Sequence, residues 1–384
     1  MPHTAALATW LGEHRADILH DIRTLVELES PSADKALLDA AADHLTAWLP
    51  ERLDATPAEA VRRRAEDHGD VVETVITGTT PTTVLLVGHY DTVWPAGTIE
   101  GWPFAVNGDT ATGPGIFDMK SGIVQGVWAL HALRDLGLPR PTVRFLFNGD
   151  EELGSAWSRR HVENASADVA ATIVTEPGGG WAAKTHRKGT GIFTVTAEGV
   201  ESHAGLDPAR GASAIHGLSD AVQTLVDAAD LDRGTSVNIG TITGGTARNV
   251  IAGHASCLID IRVTDTAEME RLDKVFADLR PRDSRVRLTV GGGWNRPPMT
   301  PGPESRRLFG IADGVAADLR GPLGRPHVGG GSDANFIAAL GRPVLCGMGA
   351  TGDGAHARHE HITVTDIPDR TALVAGTLLR LSEG

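Results

Sequence analysis

The chain has 384 residues, of which 41% are hydrophobic and 22% are charged, and its formal net charge is −14 at pH 7. This composition is typical of a globular protein, and the length predicts two domains. The acidic balance argues against nucleic acid as a partner, because nucleic-acid binding requires a basic face. No apolar run reaches the roughly 18 residues of a membrane-spanning helix, so no membrane partner is expected.

The N-terminal residues 1–30 carry apolar side chains at helical spacing among charged ones. This pattern predicts one amphipathic helix and lacks the apolar core of a signal peptide, so we expect a cytoplasmic protein. Only two cysteines, Cys257 and Cys346, are present, and both lie in apolar strand-like runs. We therefore expect two buried thiols and no disulfide framework.

Short apolar runs alternate with helical segments in residues 1–186. Strands are predicted at 83–88, 142–147 and 171–175, and a helix is predicted over 121–137 with Ser121 as its N-cap. This alternation predicts an α/β domain with a mostly parallel central sheet flanked by helices.

The pattern changes in residues 187–296, where a βαββαβ order predicts a compact α+β domain. Residues 297–384 return to helices, a Gly-rich loop and a strand at 343–347. We place this last segment back in the first domain, so that the α+β domain is an insertion between 1–186 and 297–384.

Acidic and imidazole side chains stand at the ends of the predicted strands or in nearby loops. Ligands bind beyond the carboxyl ends of the strands in open α/β sheets. Mixed nitrogen and oxygen ligands suit zinc, with cobalt or manganese as substitutes, and the pattern predicts a two-metal hydrolase. The residues are His89, Asp91, Asp118, Glu151, Glu152, Glu176 and His356.

Each of these residues has a simpler explanation when it is taken alone. A single histidine is usually a surface or core residue, and adjacent acids such as Glu151 and Glu152 are common in the first turn of a helix. At a strand end, however, adjacent side chains point in different directions, so one acid could bind metal while the other faces substrate. Asp91 could fix the tautomer of His89. The combination at consecutive strand ends favours a metal centre.

Ten segments resemble, in order, motifs of the M20 family of co-catalytic zinc metallopeptidases, and most closely its glutamate carboxypeptidase branch. They span nearly the whole chain, and they depart modestly from the family pattern at Ala252 and His361. The resemblance implies that the insertion is a lid and dimerisation domain. The segments are GHYDTVWP (88–95), GPGIFDMKSG (113–122), FNGDEELGS (147–155), TEPG (175–178), SHAG (202–205), RNVI (248–251), DIR (260–262), RPP (296–298), GGGSDA (329–334) and HARHEHI (356–362).

The resemblance implies a catalytic domain that holds two zinc ions. One position is formed by His89, Asp118 and Glu176. The other is formed by Asp118, Glu152 and His356, so that Asp118 is shared.

The resemblance also implies the roles of three residues that do not bind metal. Asp91 orients the metal-binding histidine, and Glu151 is the general base for metal-activated water. His203 stabilises the tetrahedral oxyanion in the site of a partner subunit, so a homodimer is expected.

The substrate contacts implied by the resemblance are centred on two arginines, Arg262 and Arg296. Arginine binds a free carboxylate through a planar bidentate fork. Asn249, Lys184 and the backbone near Gly331 are further contacts. This set implies hydrolysis of an amide bond to a C-terminal amino acid, glutamate or a similar acidic residue, in an N-acyl amino acid or short peptide.

Two other functions fit the same residues. An M20 deacylase or dipeptidase acting on another N-acyl amino acid, including a biosynthetic deprotecting enzyme, fits because the metal site does not encode the acyl group. A catalytically silent metal-binding dimer is the non-enzyme alternative. Glu151 argues against it, since a structural metal site needs no adjacent base.

Overall fold

The computed structural model describes residues 2–54 and 60–383. The chain forms two compact units. Unit 1 comprises Met1–His186, Pro301–His327 and Ser332–Gly384, and unit 2 comprises Arg187–Thr300 and Val328–Gly331.

A six-stranded sheet forms the centre of unit 1, in the order β1-β2-β6-β3-β7-β16. Strands β6, β3, β7 and β16 run parallel to one another, and β2 and β1 extend the sheet as antiparallel strands. The predicted mostly parallel sheet is confirmed. The strands are β1 Ala60–Arg63, β2 Val71–Ile76, β3 Thr83–His89, β6 Thr142–Asn148, β7 Ala171–Val174 and β16 Val344–Leu345.

The central strand β3 shows why this sheet lies inside the unit. All of its residues after Thr83 are buried, as expected for a parallel strand that is covered by helices on both faces. His89, the last residue of β3, pairs with Asn148, the last residue of β6, and Val87 pairs with Val174, the last residue of β7. The loops that follow these three strands therefore leave the same edge of the sheet.

Helices cover the sheet of unit 1, and none of the helices in the described part of the chain is long and apolar enough to span a membrane. Helices α9 and α11 begin with proline near their first position, where its fixed φ is suited to a helix start. The helices are α1 Pro2–Glu13, α2 Arg15–Glu27, α3 Lys35–Arg52, α4 Thr98–Gly101, α5 Ser121–Asp135, α6 Arg159–Ala165, α9 Pro303–Leu319, α10 Ala334–Ala339 and α11 Ile367–Ser382.

Two predictions about these helices are wrong. The single helix predicted over 1–30 is divided at His14, because α1 packs mainly against α11 and α9 whereas α2 packs mainly against α5. Ser121 is not the N-cap of α5: the cap position is Lys120, and Ser121 is already helical. Lys120 already has helical backbone angles, so α5 does not start from an extended residue. The two residues before it, Asp118 and Met119, are not helical.

A second, smaller sheet in unit 1 has the order β17-β18-β5-β4. Its hairpin β17–β18 encloses the loop that carries His356, and β18 pairs with β5, the strand that precedes the loop of Asp118. The strands are β4 Ala105–Asn107, β5 Thr110–Thr112, β17 Gly352–Asp353 and β18 His361–Thr363.

Unit 2 contains a four-stranded antiparallel sheet in the order β11-β13-β9-β14. Buried residues alternate along β13, as expected for a strand with one face in a core. The order β9-α7-β11-β13-α8-β14 confirms the predicted βαββαβ unit. The elements are β9 Gly189–Glu198, α7 Ala214–Asp227, β11 Ser236–Gly244, β13 His254–Val263, α8 Thr266–Ala277 and β14 Arg287–Arg296, with the two-residue strands β8 His186–Arg187, β10 Ser202–His203, β12 Val250–Ile251 and β15 His327–Val328.

The two cysteines are buried free thiols, as predicted. Cys257 lies in the apolar core of unit 2, among the side chains of its sheet and helices.

Candidate metal centre

Six of the predicted side chains meet in unit 1, beyond the carboxyl ends of the parallel strands. His89 ends β3, Glu151 and Glu152 follow β6, and Glu176 follows β7. The other two are Asp118, in the segment Ile116–Lys120 before α5, and His356, in the loop between β17 and β18.

Asp118 lies between the two histidines. Its Oδ1 is 3.2 Å from His89 Nε2, and its Oδ2 is 3.4 Å from His356 Nε2. His89 Nε2 is also 3.8 Å from Glu176 Oε1, and His356 Nε2 is 3.1 Å from Glu152 Oε1. One carboxylate thus presents an oxygen to each of two imidazole–carboxylate pairs.

The donor atoms fall into two groups of three, each within 4.8 Å of one another. One group is His89, Glu151 and Glu176, and the other is Asp118, Glu152 and His356. Glu151 therefore lies close enough to a candidate metal position to serve as a ligand or as a base beside it. Each group combines one imidazole with two carboxylates, a donor set that zinc accepts.

The two groups differ in their exposure to solvent. His89 is 2% exposed and Glu176 is 6% exposed, whereas the side chain of His356 is 51% exposed. Glu151 and Glu152 are half-buried. In unit 1, water and small molecules can therefore reach the centre from the His356 side.

Electrostatics within the centre favour positive charge. Burial lowers the pKa of His89, but hydrogen bonds to Asp118 and Asp91 outweigh it, so that this pKa lies well above its usual value. Hydrogen bonds to Asp118 and Glu152 raise the pKa of His356 to about 10. Burial opposes ionisation of Asp118, but His356 and His89 hold its pKa far below the usual range. Divalent cations would supply the positive charge that these carboxylates otherwise draw from protons.

Asp91 is fully buried and connects three parts of the centre. Its carbonyl oxygen lies 3.1 Å from Nδ1 of His89, and its carboxylate lies 3.5 Å from the same nitrogen. A hydrogen on Nδ1 leaves the Nε2 lone pair for a metal ion. The Asp91 carboxylate also accepts hydrogen bonds from the backbone N–H groups of Glu151 and Glu152, each at 3.1 Å, and from Ser32 Oγ at 2.8 Å.

Glu360 is a residue of the centre that the sequence reasoning did not assign. It is fully buried, and it accepts a hydrogen bond from the backbone N–H of Asp118 at 3.1 Å. Glu360 lies four residues after His356, inside the segment HARHEHI (356–362). This position is the signal in the sequence that could have identified it.

Lys184, the predicted substrate contact in unit 1, is half-buried. Its backbone forms a bridge with Cys346, with Lys184 N donating to Cys346 O at 2.7 Å. Lys184 is not part of either group of candidate metal ligands.

In unit 2, the structure brings together the predicted substrate residues Arg262 and Arg296. Both pair with Thr190 of β9, one from β13 and the other from β14. Residues directly opposite one another in an antiparallel sheet share a face. Gly331 lies close to Arg296, because a Cβ at Gly331 would be 2.7 Å from Arg296 Cδ.

Arg262 already makes a bidentate ion pair within unit 2. Its Nε and Nη2 each donate to Asp260 at 2.9 Å, and its Nη1 donates to Thr190 Oγ1 at 3.0 Å. Arg296 is 6% exposed and donates from Nη1 to Asn295 Oδ1 at 2.8 Å.

His203 and Asn249 lie beside each other at the ladder of β10 and β12, where Ala204 N donates to Asn249 O at 2.9 Å. Both side chains are exposed. Nδ1 of His203 accepts hydrogen bonds from the backbone N–H groups of Gly205 and Leu206 at 3.1 and 3.0 Å. In the neutral ring the hydrogen therefore lies on Nε2, which can act as a donor.

The chain is similar to known proteins over most of its length. Residues 85–380 match the family described as peptidase family M20/M25/M40. Carboxypeptidase G2 from Pseudomonas sp. (strain RS-16) is 28% identical over 376 residues, which cover 96% of this chain and 90% of that protein. Succinyl-diaminopimelate desuccinylase from Xanthomonas campestris pv. campestris (strain B100) is 30% identical over 323 residues, which cover 78% of this chain and 83% of that protein.

The fold is also shared with a solved structure. The M20 family metallo-carboxypeptidase Sso-CP2 from Sulfolobus solfataricus matches with a TM-score of 0.73 and 17% identity, covering 96% of this chain and 99% of that one. The family match spans well over half of the chain and includes all six candidate ligands. The chain therefore belongs to peptidase family M20/M25/M40 and is a metallopeptidase of the M20 type.

Proposed function

We propose that this protein hydrolyses the amide bond to a C-terminal amino acid, glutamate or a similar acidic residue, with two metal ions in the centre of unit 1. The observation that carries the proposal is Asp118, which presents one oxygen to His89 and the other to His356. We assign His89, Asp118 and Glu176 to one ion and Asp118, Glu152 and His356 to the other. Zinc suits these donors best, with cobalt or manganese as substitutes.

In this proposal Glu151 transfers protons. Bound divalent ions supply Lewis acidity, which activates water and polarises the scissile carbonyl. Glu151 takes a proton from the water and delivers it to the leaving nitrogen. Asp91 supports this role, because its carboxylate holds the backbone N–H of Glu151 and of Glu152.

The preference for an acidic residue rests on the arginines of unit 2. Arg262 and Arg296 both pair with Thr190, from the strands on either side of β9, so two arginines come from neighbouring positions of the sheet. A C-terminal glutamate carries two carboxylates, and paired guanidinium groups suit such a ligand. Similarity to carboxypeptidase G2 supports cleavage at a C-terminal residue. Asn249, Lys184 and the Gly331 backbone are proposed as further contacts.

His203 is proposed to donate from Nε2 to the oxyanion of the tetrahedral intermediate in a partner subunit. Its tautomer supports this role, since Nδ1 already accepts two backbone hydrogen bonds. A homodimer follows from the proposal. A cytoplasmic location remains a prediction from the sequence.

The second candidate function is an N-acyl amino acid deacylase, including a biosynthetic deprotecting enzyme. The 30% identity to succinyl-diaminopimelate desuccinylase favours it. Dipeptidase activity is part of the same alternative, because the metal centre does not specify the acyl group of the substrate. A silent metal-binding dimer would need no base beside the ligands.

The test is release of free amino acid from matched substrates, each with one N-acyl group and C-terminal glutamate, alanine or lysine, together with the corresponding dipeptides. We expect hydrolysis that a chelator abolishes and added zinc restores, with glutamate preferred. Equal rates for all three residues would favour the deacylase or dipeptidase alternative. Two bound zinc ions without hydrolysis of any substrate would favour the silent dimer.

Replacing Arg296 separates substrate binding from chemistry. Arg296→Met is expected to raise KM for the glutamate substrate by about tenfold or more and to change KM for the alanine substrate less. Arg287→Met is the matched control, because Arg287 lies on the same strand but is largely exposed and pairs with Glu198. A variant Arg296→Met with unchanged KM for glutamate would remove this arginine from the substrate site.

A further inference from the structure

The carboxylate of Glu360 accepts four hydrogen bonds. Oε1 accepts from the backbone N–H groups of Phe117 at 2.9 Å and Asp118 at 3.1 Å. Oε2 accepts from the backbone N–H of Gly115 at 3.1 Å and from Trp94 Nε1 at 2.9 Å. Three of the four donors thus belong to the segment that presents Asp118.

This carboxylate is fully buried, and no cation is among its four hydrogen-bond donors. A buried carboxylate is costly unless its oxygens are satisfied, so the four N–H groups determine where it can lie. Backbone N–H groups that bond to a fixed carboxylate are fixed in turn. The segment Ile116–Lys120, which leads into α5, is therefore held near its beginning and at its centre by one side chain.

Glu360 also connects this segment to the loop of His356. The two residues lie in the same loop, between β17 and β18. The guanidinium of Arg358 in that loop lies over the rings of Trp94 and Trp102, 5.4 and 5.6 Å from their centroids. Trp94 follows His89 by five residues, so the loops of three candidate ligands meet at Glu360 and Trp94.

We propose that Glu360 is a positioning residue of the metal centre: it fixes the backbone that presents Asp118 and ties it to the loop that presents His356. Asp118 must place one oxygen near each histidine, which requires its backbone to be held relative to both loops. This inference rests on the proposed two-metal centre.

Cobalt binding to chelator-treated protein tests the proposal without relying on activity. Visible absorption reports the number, affinity and coordination of bound Co²⁺ ions. Four variants are compared with the wild type: Glu360→Gln, Glu360→Asp, Trp94→Phe and, as a control, Glu13→Gln, which changes an exposed carboxylate at the end of α1. Circular dichroism and thermal unfolding in chelator measure the folding of each variant separately.

Glu360→Gln keeps the length of the side chain but turns an amide NH₂ toward N–H donors. We expect it to bind at least one Co²⁺ about 10–100-fold more weakly than the wild type and to change the cobalt absorption. Glu360→Asp keeps the charge but is too short for all four bonds, and an intermediate loss is expected. Trp94→Phe removes one donor and keeps a ring beneath Arg358, so a loss of roughly threefold to tenfold is expected. Glu13→Gln should match the wild type.

The outcomes separate the inference from the proposed function. Wild-type protein that binds fewer than two Co²⁺ ions would overturn the metal centre and this inference with it. Folded Glu360→Gln with wild-type affinities and absorption would overturn the positioning role alone, even if its melting temperature fell. If Glu360→Gln does not fold, Trp94→Phe decides: weaker cobalt binding supports the proposal, and unchanged binding overturns it.

Discussion

Glu151 lies within 4.8 Å of the donor atoms of both His89 and Glu176, so its distance to the centre is compatible with two roles. If Glu151 is a ligand, replacing it should release a metal ion. If it is a base, replacing it should leave the bound metal unchanged. We assign Glu151 the role of the base, because Asp118 already contacts both histidines.

Glu151→Gln is expected to keep two metal ions and to lower kcat by about 10²–10⁴-fold, because the amide cannot accept the proton from water. Metal content by mass spectrometry and kcat on the same preparation check this prediction. Glu13→Gln is the control. A variant that loses one ion would make Glu151 a ligand, and a variant with nearly wild-type kcat would exclude it as the base.

At the residue scale, the candidate ligands could be predicted to lie together because most of them follow an apolar run and Asp118 lies in a nearby loop. Parallel strands end at one edge of a sheet, and this alone was enough to predict that His89, Glu151 and Glu176 lie together. Glu360 could not be predicted in this way, since its partners are backbone N–H groups of a segment more than 200 residues away. Such a contact depends on loop conformation and leaves no periodic pattern in the sequence.

Among the helices, α11 supports the loop after β16 through Arg370. This fully buried arginine donates to the carbonyl oxygens of Gly349 at 2.6 Å, Gly347 at 2.6 Å and Ala182 at 3.0 Å. Gly349 N in turn donates to Glu176 O at 2.9 Å. Burial lowers the pKa of Arg370 to about 10, which leaves the guanidinium charged at neutral pH.

Arg370→Met is expected to destabilise the protein by about 3 kcal/mol or more, because three carbonyl oxygens lose a charged donor. Chemical denaturation in the presence of chelator measures this change. Arg380→Met, on the same helix, is the control. Arg380 makes a partly exposed ion pair with Asp318 at 2.7 Å, and its loss should cost less than about 1 kcal/mol. Equal losses for the two variants would contradict the role assigned to Arg370.

In unit 2, the first turn of α8 gives a pH-dependent contribution to stability. The hydrogen bond from Arg271, opposed by burial and aided by Thr235 and Arg233, lowers the pKa of Glu268 from 4.5 to about 2. A carboxylate with a lowered pKa stabilises the folded state above its unfolded pKa, and this contribution is lost as the pH falls from about 4.5 through about 2.

Glu268→Gln is therefore expected to lower the free energy of unfolding by about 1 kcal/mol at pH 7. The effect is no larger because Arg271 and Arg233 are partly exposed, and solvent weakens their attraction to the carboxylate. The difference from the wild type should shrink between pH 4.5 and pH 2, as followed by denaturation at each pH. Glu270→Gln, an exposed change on the same helix, should show little effect. A difference that does not depend on pH would contradict the assigned charge interaction.

Element prediction succeeded where a single periodicity governs a segment. The strands β3 and β6 and the helix α5 were predicted within one or two residues, since their apolar patterns are uninterrupted. The helix over 1–30 was predicted as one element because the spacing of apolar residues continues across His14, although the two halves pack against different helices. Ser121 fits the preference for an N-cap, but Lys120 before it is already helical, so Ser121 is not the extended residue that a cap requires.

At the scale of the whole molecule, the proposed homodimer would require an exposed surface, and one edge of unit 2 offers it. Strands β11 and β14 are the two edges of the sheet, and exposed edges invite pairing with another chain. On β11, Ile242 is 58% exposed, and it lines an apolar hollow together with Ile215 and Leu218 of α7. This edge therefore combines unpaired backbone with apolar surface.

Light scattering is expected to give twice the mass of one chain for the wild type. Ile242→Lys should raise the dimer dissociation constant about tenfold or more, because it places a charge in the apolar hollow. Val290→Lys, on the opposite edge strand, is the control and should leave the mass unchanged. A wild-type protein that is active as a monomer would contradict both the dimer and the role proposed for His203.

The general architecture could be predicted because the change from alternating strand–helix units to a βαββαβ order is visible in the sequence. Individual contacts, such as the ion pair of Arg262 with Asp260, could not be predicted. Nothing in the sequence of this strand indicates that the arginine binds a carboxylate of its own strand. Asp260 competes with a substrate carboxylate for Arg262, and this becomes apparent only when the side-chain conformation is known.

The candidate ligand furthest along the sequence, His356, shares its loop with Glu360. Deleting this one loop would remove both the imidazole and the carboxylate that holds the Asp118 segment. The proposed two-metal centre thus concentrates two of its requirements in a single short stretch between β17 and β18, whereas His89 and Glu176 lie at or just after the ends of separate strands.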